Sequence, residues 1–77
     1  MTQVEKLIAG MRNNPRAVRF EALVKVMSRA GWDVVESKGS HVKIKKAGCP
    51  TIVGVRPHGG KAYADVALVE DCLRALE

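Results

Sequence analysis

The stretch His41-Val42-Lys43-Ile44-Lys45 decides the fold, because apolar and polar side chains alternate in it without interruption. Alternation with a period of two is typical of a β-strand that has one buried face and one solvent-exposed face. Val42 and Ile44 are therefore predicted to face the core. His41, Lys43 and Lys45 must then share the opposite face of the sheet.

Residues on both sides of this strand favour turns and further strands. Lys38-Gly39-Ser40 predicts one turn, and residues 46–50, which include a glycine and a proline, predict a second. The β-rich segments 32–37 and 51–55 lie just beyond these turns and are predicted to be strands. Three consecutive strands joined by short turns favour an antiparallel sheet, with helices on one face and solvent on the other.

Helical periodicity appears on both sides of the predicted sheet. Residues 3–12 and about 19–30 carry apolar side chains at helical spacing, and Gly31 is placed to end the second of these helices. Asp65 is predicted to cap a final helix, whose apolar stripe consists of Val66, Val69, Leu73 and Leu76. The sequence thus predicts an α+β fold with the order α-β-β-β-α and an extra N-terminal helix. A chain of 77 residues is expected to form a single domain, residues 1–77.

Positive charge is concentrated in the middle of the chain. The formal net charge is +5, and residues 38–61 contain six basic side chains and no acidic one. Residues 1–37 sum to +2 and residues 62–77 to −3. This distribution favours a polyanionic partner such as nucleic acid, and the alternative is a lysine-rich face that is simply solvated.

Several classes of protein are disfavoured by what the sequence lacks. It contains neither an apolar run of the roughly 20 residues that span a membrane nor the pattern of a signal peptide, which predicts a cytoplasmic protein. Cys49 and Cys72 are predicted to be reduced thiols, with Cys72 in the core. Together with His41 and His58 they form no closely spaced ligand pair, so neither a metal site nor a cofactor is predicted. Residues 54–62 lack the spacing of a P-loop, which argues against nucleotide hydrolysis.

His41 is the residue best suited to chemistry on RNA. Histidine has an ordinary pKa of about 6.5, so it can take a proton from a 2′-hydroxyl or give one to a leaving 5′-oxygen. Lys43 and Lys45 share its predicted face and are expected to lie near the scissile phosphate. Gly39 would allow close approach to a phosphate, and Ser40 can donate a hydrogen bond to it. The alternatives are a surface histidine within a basic patch and an ordinary hairpin turn.

Further residues of the basic segment are predicted to bind RNA with this group. His58 has three open roles: a second acid/base group, a phosphate contact or, most simply, a loop residue without a function. The complete set of predicted RNA-binding residues is Lys38, Gly39, Ser40, Lys43, Lys45, Lys46, Arg56, His58 and Lys61.

Four short motifs follow one another along most of the chain. They are Phe20-x-x-Leu23, Ala30-Gly31-Trp32, Lys38-Gly39-Ser40-His41 and Val53-x-Val55-x-Pro57-His58-x-Gly60-Lys61. Together they resemble the HicA toxins of bacterial HicA–HicB toxin–antitoxin modules, and the resemblance covers about residues 14–76. The chain departs from the family pattern at Val42, where many members have a second histidine or an aromatic residue. It also departs at Ala62-Tyr63-Ala64-Asp65-Val66, which replaces the family's usual Lys-Gly-Thr-hydrophobic entry to the last helix.

The resemblance implies a fold, an activity and a partner. The fold would be double-stranded-RNA-binding-like, in agreement with the predicted order of elements. The activity would be cleavage of mRNA that arrests translation, with His41 as the essential catalytic residue. The partner would be a HicB-type antitoxin that covers the active surface. We therefore predict an RNA endonuclease that needs no metal. The alternatives are a non-catalytic RNA-binding module of the same fold and a protein-interaction domain.

Overall fold

The computed structural model describes residues 2–57 and 62–77, and it shows the predicted order of elements. The helices and strands are α1 (Gln3–Asn13), α2 (Phe20–Arg29), β1 (Asp33–Glu36), β2 (His41–Lys45), β3 (Ile52–Val55) and α3 (Val66–Ala75). β2 lies between the other two strands and pairs with both in the antiparallel sense. Within the described ranges, no helix has the length and hydropathy needed to cross a bilayer.

The helices cover the face of the sheet that carries Val42 and Ile44. α2 packs on β1, α3 packs on β3, and α1 packs against both of these helices. Val42 and Ile44 belong to one apolar cluster with buried residues from all three helices. The α+β arrangement, with helices on one face and an extra N-terminal helix, is therefore confirmed.

Apolar side chains of α2, β2 and α3 form the centre of the core. The most completely buried of them, each less than 2% exposed, are Leu23, Val26, Met27, Val42, Ile44, Val69 and Cys72. Full burial of a large aliphatic side chain contributes roughly 1.5–3 kcal/mol. Cys72 is thus the core residue that the sequence predicts. Its burial, reinforced by the charge of Asp71, raises the pKa of the thiol to about 12, so the thiol stays neutral at pH values near 7.

The end of α2 explains why β1 begins one residue later than the sequence predicts. Gly31 has a φ of +93°, in the left-handed region that favours glycine. Its N–H donates to the Ser28 carbonyl at 3.2 Å, and the N–H of Trp32 donates to the Met27 carbonyl at 3.0 Å. These two bonds form a Schellman cap. Trp32 packs into the core, where it is 5% exposed, and β1 starts after the cap at Asp33.

A short antiparallel pairing, which the sequence does not predict, ties the start of α2 to the start of α3. The N–H of Phe20 donates to the Ala62 carbonyl at 2.9 Å, and the N–H of Ala64 donates to the Val18 carbonyl at 2.7 Å. Asp65 occupies the N-cap position of α3 as predicted, but its side chain makes no capping hydrogen bond. The pairing therefore fixes the start of α3 in place of a side-chain cap.

Replacement of Gly54 is predicted to destabilise the protein, because α3 packs closely on β3 at this position. A Cβ added at Gly54 would lie 2.6 Å from Cδ2 of the buried Leu68. Gly54→Ala should therefore lower the free energy of unfolding by about 1–3 kcal/mol.

Gly10→Ala is the matched control, because no atom lies within 4 Å of its new Cβ. Alanine favours a helix over glycine, so this variant should gain about 0.5–1 kcal/mol. Denaturant unfolding of both variants measures the difference, and an unchanged Gly54→Ala would contradict the close approach.

Candidate functional site

β2 presents a row of polar side chains to solvent. His41, Lys43 and Lys45 are exposed, whereas Val42 and Ile44 are each 1% exposed. The predicted division of the two faces is therefore confirmed. Alternate residues of a strand are about 6.6 Å apart, so Lys43 is the neighbour of His41 and Lys45 lies about 13 Å away at the other end of the row.

Exposed valines lie on both sides of this row. Val55 of β3 is opposite His41, and Val35 and Val53 flank Lys43 on β1 and β3. Val35, Val53 and Val55 are 44%, 57% and 48% exposed. Sequence reasoning missed them because β1 and β3 place apolar residues on both faces, so that alternation gives no signal there.

An acidic residue also shares this surface. Asp33 of β1 is opposite Lys45 and offsets part of its charge. We call the whole surface the open face, and its residues are Asp33, Val35, His41, Lys43, Lys45, Val53 and Val55. Positive charge on it is therefore concentrated toward His41 and Lys43.

The turn between β1 and β2 holds the ring of His41 at the end of the row. Gly39 has a φ of +63°, which permits a tight turn. The backbone N–H of His41 donates to the Lys38 carbonyl at 3.3 Å, and ring atom Nδ1 lies 3.2 Å from the same oxygen. A carbonyl oxygen can only accept, so this second contact is a hydrogen bond when Nδ1 carries a proton. In the neutral ring, Nε2 is then the unprotonated nitrogen.

Arg56 is fixed on the other side of the sheet. Its backbone N–H donates to the Ser40 carbonyl at 2.7 Å, which continues the pairing of β2 with β3. Because Val55 lies on the open face, the next side chain points toward the helices. The Arg56 guanidinium carbon is 5.2 Å from the centroid of the Phe20 ring, and the guanidinium forms an ion pair with Glu36. Its charge is thus paired away from His41.

Lys46 is also held away from His41. Its Nζ donates to the Ala30 carbonyl at 3.3 Å and lies 5.9 Å from the centroid of the Trp32 ring. The lysine therefore provides a hydrogen bond to a carbonyl at the C-terminus of α2. This position lies at the opposite end of β2 from His41.

The structure brings together only part of the predicted site. Lys38, Gly39 and Ser40 form the turn beside His41, and Lys43 and Lys45 share its face. Lys46 and Arg56 lie elsewhere, and the predicted sites at His58 and Lys61 fall outside the described residues. Within residues 2–57 and 62–77, no group of three His, Cys, Asp or Glu side chains is placed to hold a metal ion.

Comparison with known proteins gave one match. A model of the family described as the HicA toxin of bacterial toxin-antitoxin matches residues 20–69. This range contains α2, all three strands and the beginning of α3, and therefore the whole open face. The curated proteins gave no match, and neither did the solved structures.

The turn at Gly39 is predicted to depend on its backbone conformation alone. No atom lies within 4 Å of a Cβ built at this position, so steric clash is absent. Gly39→Val should nevertheless lower the free energy of unfolding by about 1–2 kcal/mol, because side chains with a branched Cβ disfavour positive φ. Gly39→Asn should lower the free energy of unfolding clearly less than Gly39→Val does, since asparagine tolerates a positive φ. Thermal unfolding compares the two variants, and equal losses would show that φ is not the cause.

Proposed function

The chain belongs to the HicA family of bacterial toxins, and from that membership we propose that it is an RNA endonuclease that cleaves mRNA and so arrests translation. A HicB-type antitoxin is the proposed neutralising partner, and the cytoplasm is the proposed place of action. The observation that carries the proposal is the exposed His41 in one row with Lys43 and Lys45 on the open face. A histidine beside one lysine and in line with a second is suited to cleaving a phosphodiester bond.

His41 is the proposed catalytic base. With Nδ1 donating to the Lys38 carbonyl, Nε2 is free to take the proton of a 2′-hydroxyl. The 2′-oxygen then bonds to the adjacent phosphorus, and the bond from phosphorus to the 5′-oxygen breaks. One product carries a 2′,3′-cyclic phosphate and the other a 5′-hydroxyl. The Lys38 carbonyl also stabilises the imidazolium that forms, because it keeps accepting a hydrogen bond from Nδ1.

The lysines of the row have different proposed roles. Lys43 is nearest to His41 and would offset charge on the scissile phosphate as it develops. Lys45 lies about 13 Å from His41 and would bind a neighbouring phosphate. The 5′-oxygen needs a proton from a second group, for which His58 and a water molecule are the candidates.

The other RNA contacts are proposed to contribute unequally. Lys38, Gly39 and Ser40 lie beside His41 and would contact the RNA backbone there. His58 and Lys61 stay proposed contacts. Lys46 and Arg56 each hold an intramolecular partner, which must be released before they can bind phosphate. Their contribution to affinity should therefore be smaller than that of Lys43.

A non-catalytic RNA-binding module is the second candidate. It is favoured by the partner of the His41 ring, which is a neutral carbonyl. Carboxylates that orient catalytic histidines in other enzymes stabilise the imidazolium more strongly. In this case the lysines of the open face would bind RNA, and His41 would only add to the basic surface.

His41→Ala separates the two candidates. A nuclease should lose cleavage of a single-stranded RNA by about 100- to 10,000-fold, the usual contribution of an acid/base group. RNA binding should change little, because Lys43 and Lys45 remain. Cleavage is measured by gel assay and binding by fluorescence anisotropy. If the wild-type chain binds RNA without cutting it, the second candidate is correct.

The same assay tests the proposed chemistry. Cleavage should persist in EDTA, and the fragments should end in a 2′,3′-cyclic phosphate and a 5′-hydroxyl. Loss of activity in EDTA, or fragments with a 5′-phosphate, would rule out metal-independent attack by the 2′-hydroxyl.

The salt dependence of RNA binding should distinguish Lys43 from Lys46. Lys43→Ala removes one phosphate contact and should reduce the slope of log affinity against log salt by about 0.7. Lys46→Ala removes the same charge, but from a side chain already tied to the Ala30 carbonyl, so its slope should stay near that of the wild type. The reverse order would place the RNA away from the open face. Absence of any salt-dependent RNA binding would favour a protein-interaction domain.

A further inference from the structure

The two edges of the sheet differ in how they are protected. β1 carries two carboxylates, Asp33 and Glu36, among its four residues. β3 and the threonine before it, residues 51–55, carry no charge at all, and no proline interrupts them. Charged side chains and prolines are the usual means by which edge strands avoid pairing with another chain. Within the described residues no strand covers β3, so its outer edge is open to pairing.

The ladder between β2 and β3 identifies which backbone groups face that outer edge. The N–H of Arg56 donates to the Ser40 carbonyl, so these two residues form a hydrogen-bonded pair. Hydrogen-bonded and non-bonded pairs alternate in an antiparallel ladder. Gly54 therefore bonds to β2, whereas the N–H and C=O groups of Val53 and Val55 point outward. They are set at the spacing that an added strand would pair with.

A groove runs beside this edge along α3. Its first part, about 670 Å³, is lined by Val53, Val55, Tyr63 and Asp71, among others. Its second part, about 570 Å³, continues past Trp32 and again includes Val53 and Asp71. The open backbone groups thus border a groove that follows the whole strand. An extended polypeptide fits this combination, because it can pair its backbone with the edge and place alternate side chains in the groove.

The charge beside the groove favours a basic occupant. Asp65 lines it and makes no capping hydrogen bond. The other charged side chains that line it among the described residues are paired, Asp71 with Arg74 and Arg56 with Glu36. The unpaired Asp65 would attract a basic side chain and disfavour a phosphate at that end of the groove.

We propose that the outer edge of β3 is a docking site for an extended segment of the antitoxin, which adds a fourth strand to the sheet. This inference rests on the antitoxin partner of the proposed function. The added strand places apolar side chains beside Val53 and Val55, and at least one basic side chain toward Asp65. Strands are about 4.8 Å apart, so the added strand lies about 9.6 Å from β2. Its side chains on the open face can therefore restrict the approach of RNA to His41.

Amide hydrogen exchange tests the added strand directly. The probe is the purified antitoxin encoded in the same module, added to saturation to the ¹⁵N-labelled full chain. The amides of Val53 and Val55 should exchange at least about tenfold more slowly than in the free chain. The matched controls are the amides of Val34 and Glu36, which face outward on β1 by the same ladder argument and should not change.

Four outcomes would overturn the proposal. They are binding without protection of Val53 and Val55, protection of the β1 edge as well, the same protection by single-stranded RNA, and protection that appears with rising concentration of the chain alone. The RNA cleavage assay is independent of all four. Failure of this inference is therefore distinguishable from failure of the proposed nuclease.

Two variants at position 53 separate the contribution of the backbone to antitoxin binding from that of the side chain. Val53→Pro removes an outward N–H that the sheet does not use, and proline is tolerated at such edge positions. It should weaken antitoxin binding by about tenfold or more, since it loses one hydrogen bond and its ring obstructs pairing. Val53→Ala keeps the N–H and should bind within a few-fold of the wild type. Circular dichroism checks that both variants fold. If they lose affinity equally, the side chain is recognised and strand addition is wrong.

Discussion

The burial of Val42 and Ile44 is the constraint on which the rest of the structure depends. Each is 1% exposed, and both come from the central strand. A shift of one residue in the register of β2 would bury His41, Lys43 and Lys45 and expose both apolar side chains. The cost of burying unpaired lysines makes that alternative strongly unfavourable. Two aliphatic side chains in the core therefore determine which chemical groups reach the solvent.

Local patterns were enough to predict the order of elements, the two faces of β2 and the position of His41, because each depends on residues close in sequence. The Gly31 stop was predictable for the same reason. The faces of the sheet on which the side chains of Arg56 and Lys46 lie were not predictable from the sequence. Arg56 follows a strand with apolar residues on both faces, and its partners Phe20 and Glu36 come from α2 and β1. Lys46 finds its carbonyl at the end of α2. Contacts between distant segments carry no signal in a single sequence.

The division of the basic residues changes how the charge of the chain should be understood. The sequence concentrates its positive charge in residues 38–61, but the fold distributes that charge over both sides of the sheet. Two of those cations have partners within the fold. Lys46 donates to a carbonyl at the end of α2, and Arg56 pairs with Glu36. The open face that remains is small and partly apolar, with His41 at one end. Such a surface suits a proposed enzyme that contacts few phosphates and also binds a protein partner.

The pairing of Val18 with Ala64 has a consequence for synthesis of the chain. The three strands are linked by short turns and can associate as soon as each has left the ribosome. The pairing and the packing of α3 join segments separated by the whole sheet, so they come last. Until α3 is made, Val42 and Ile44 lack part of their cover and β2 is held less firmly. A partly synthesised chain therefore presents the open face on a sheet that is less firmly held, and that surface becomes fully ordered only after translation has passed α3.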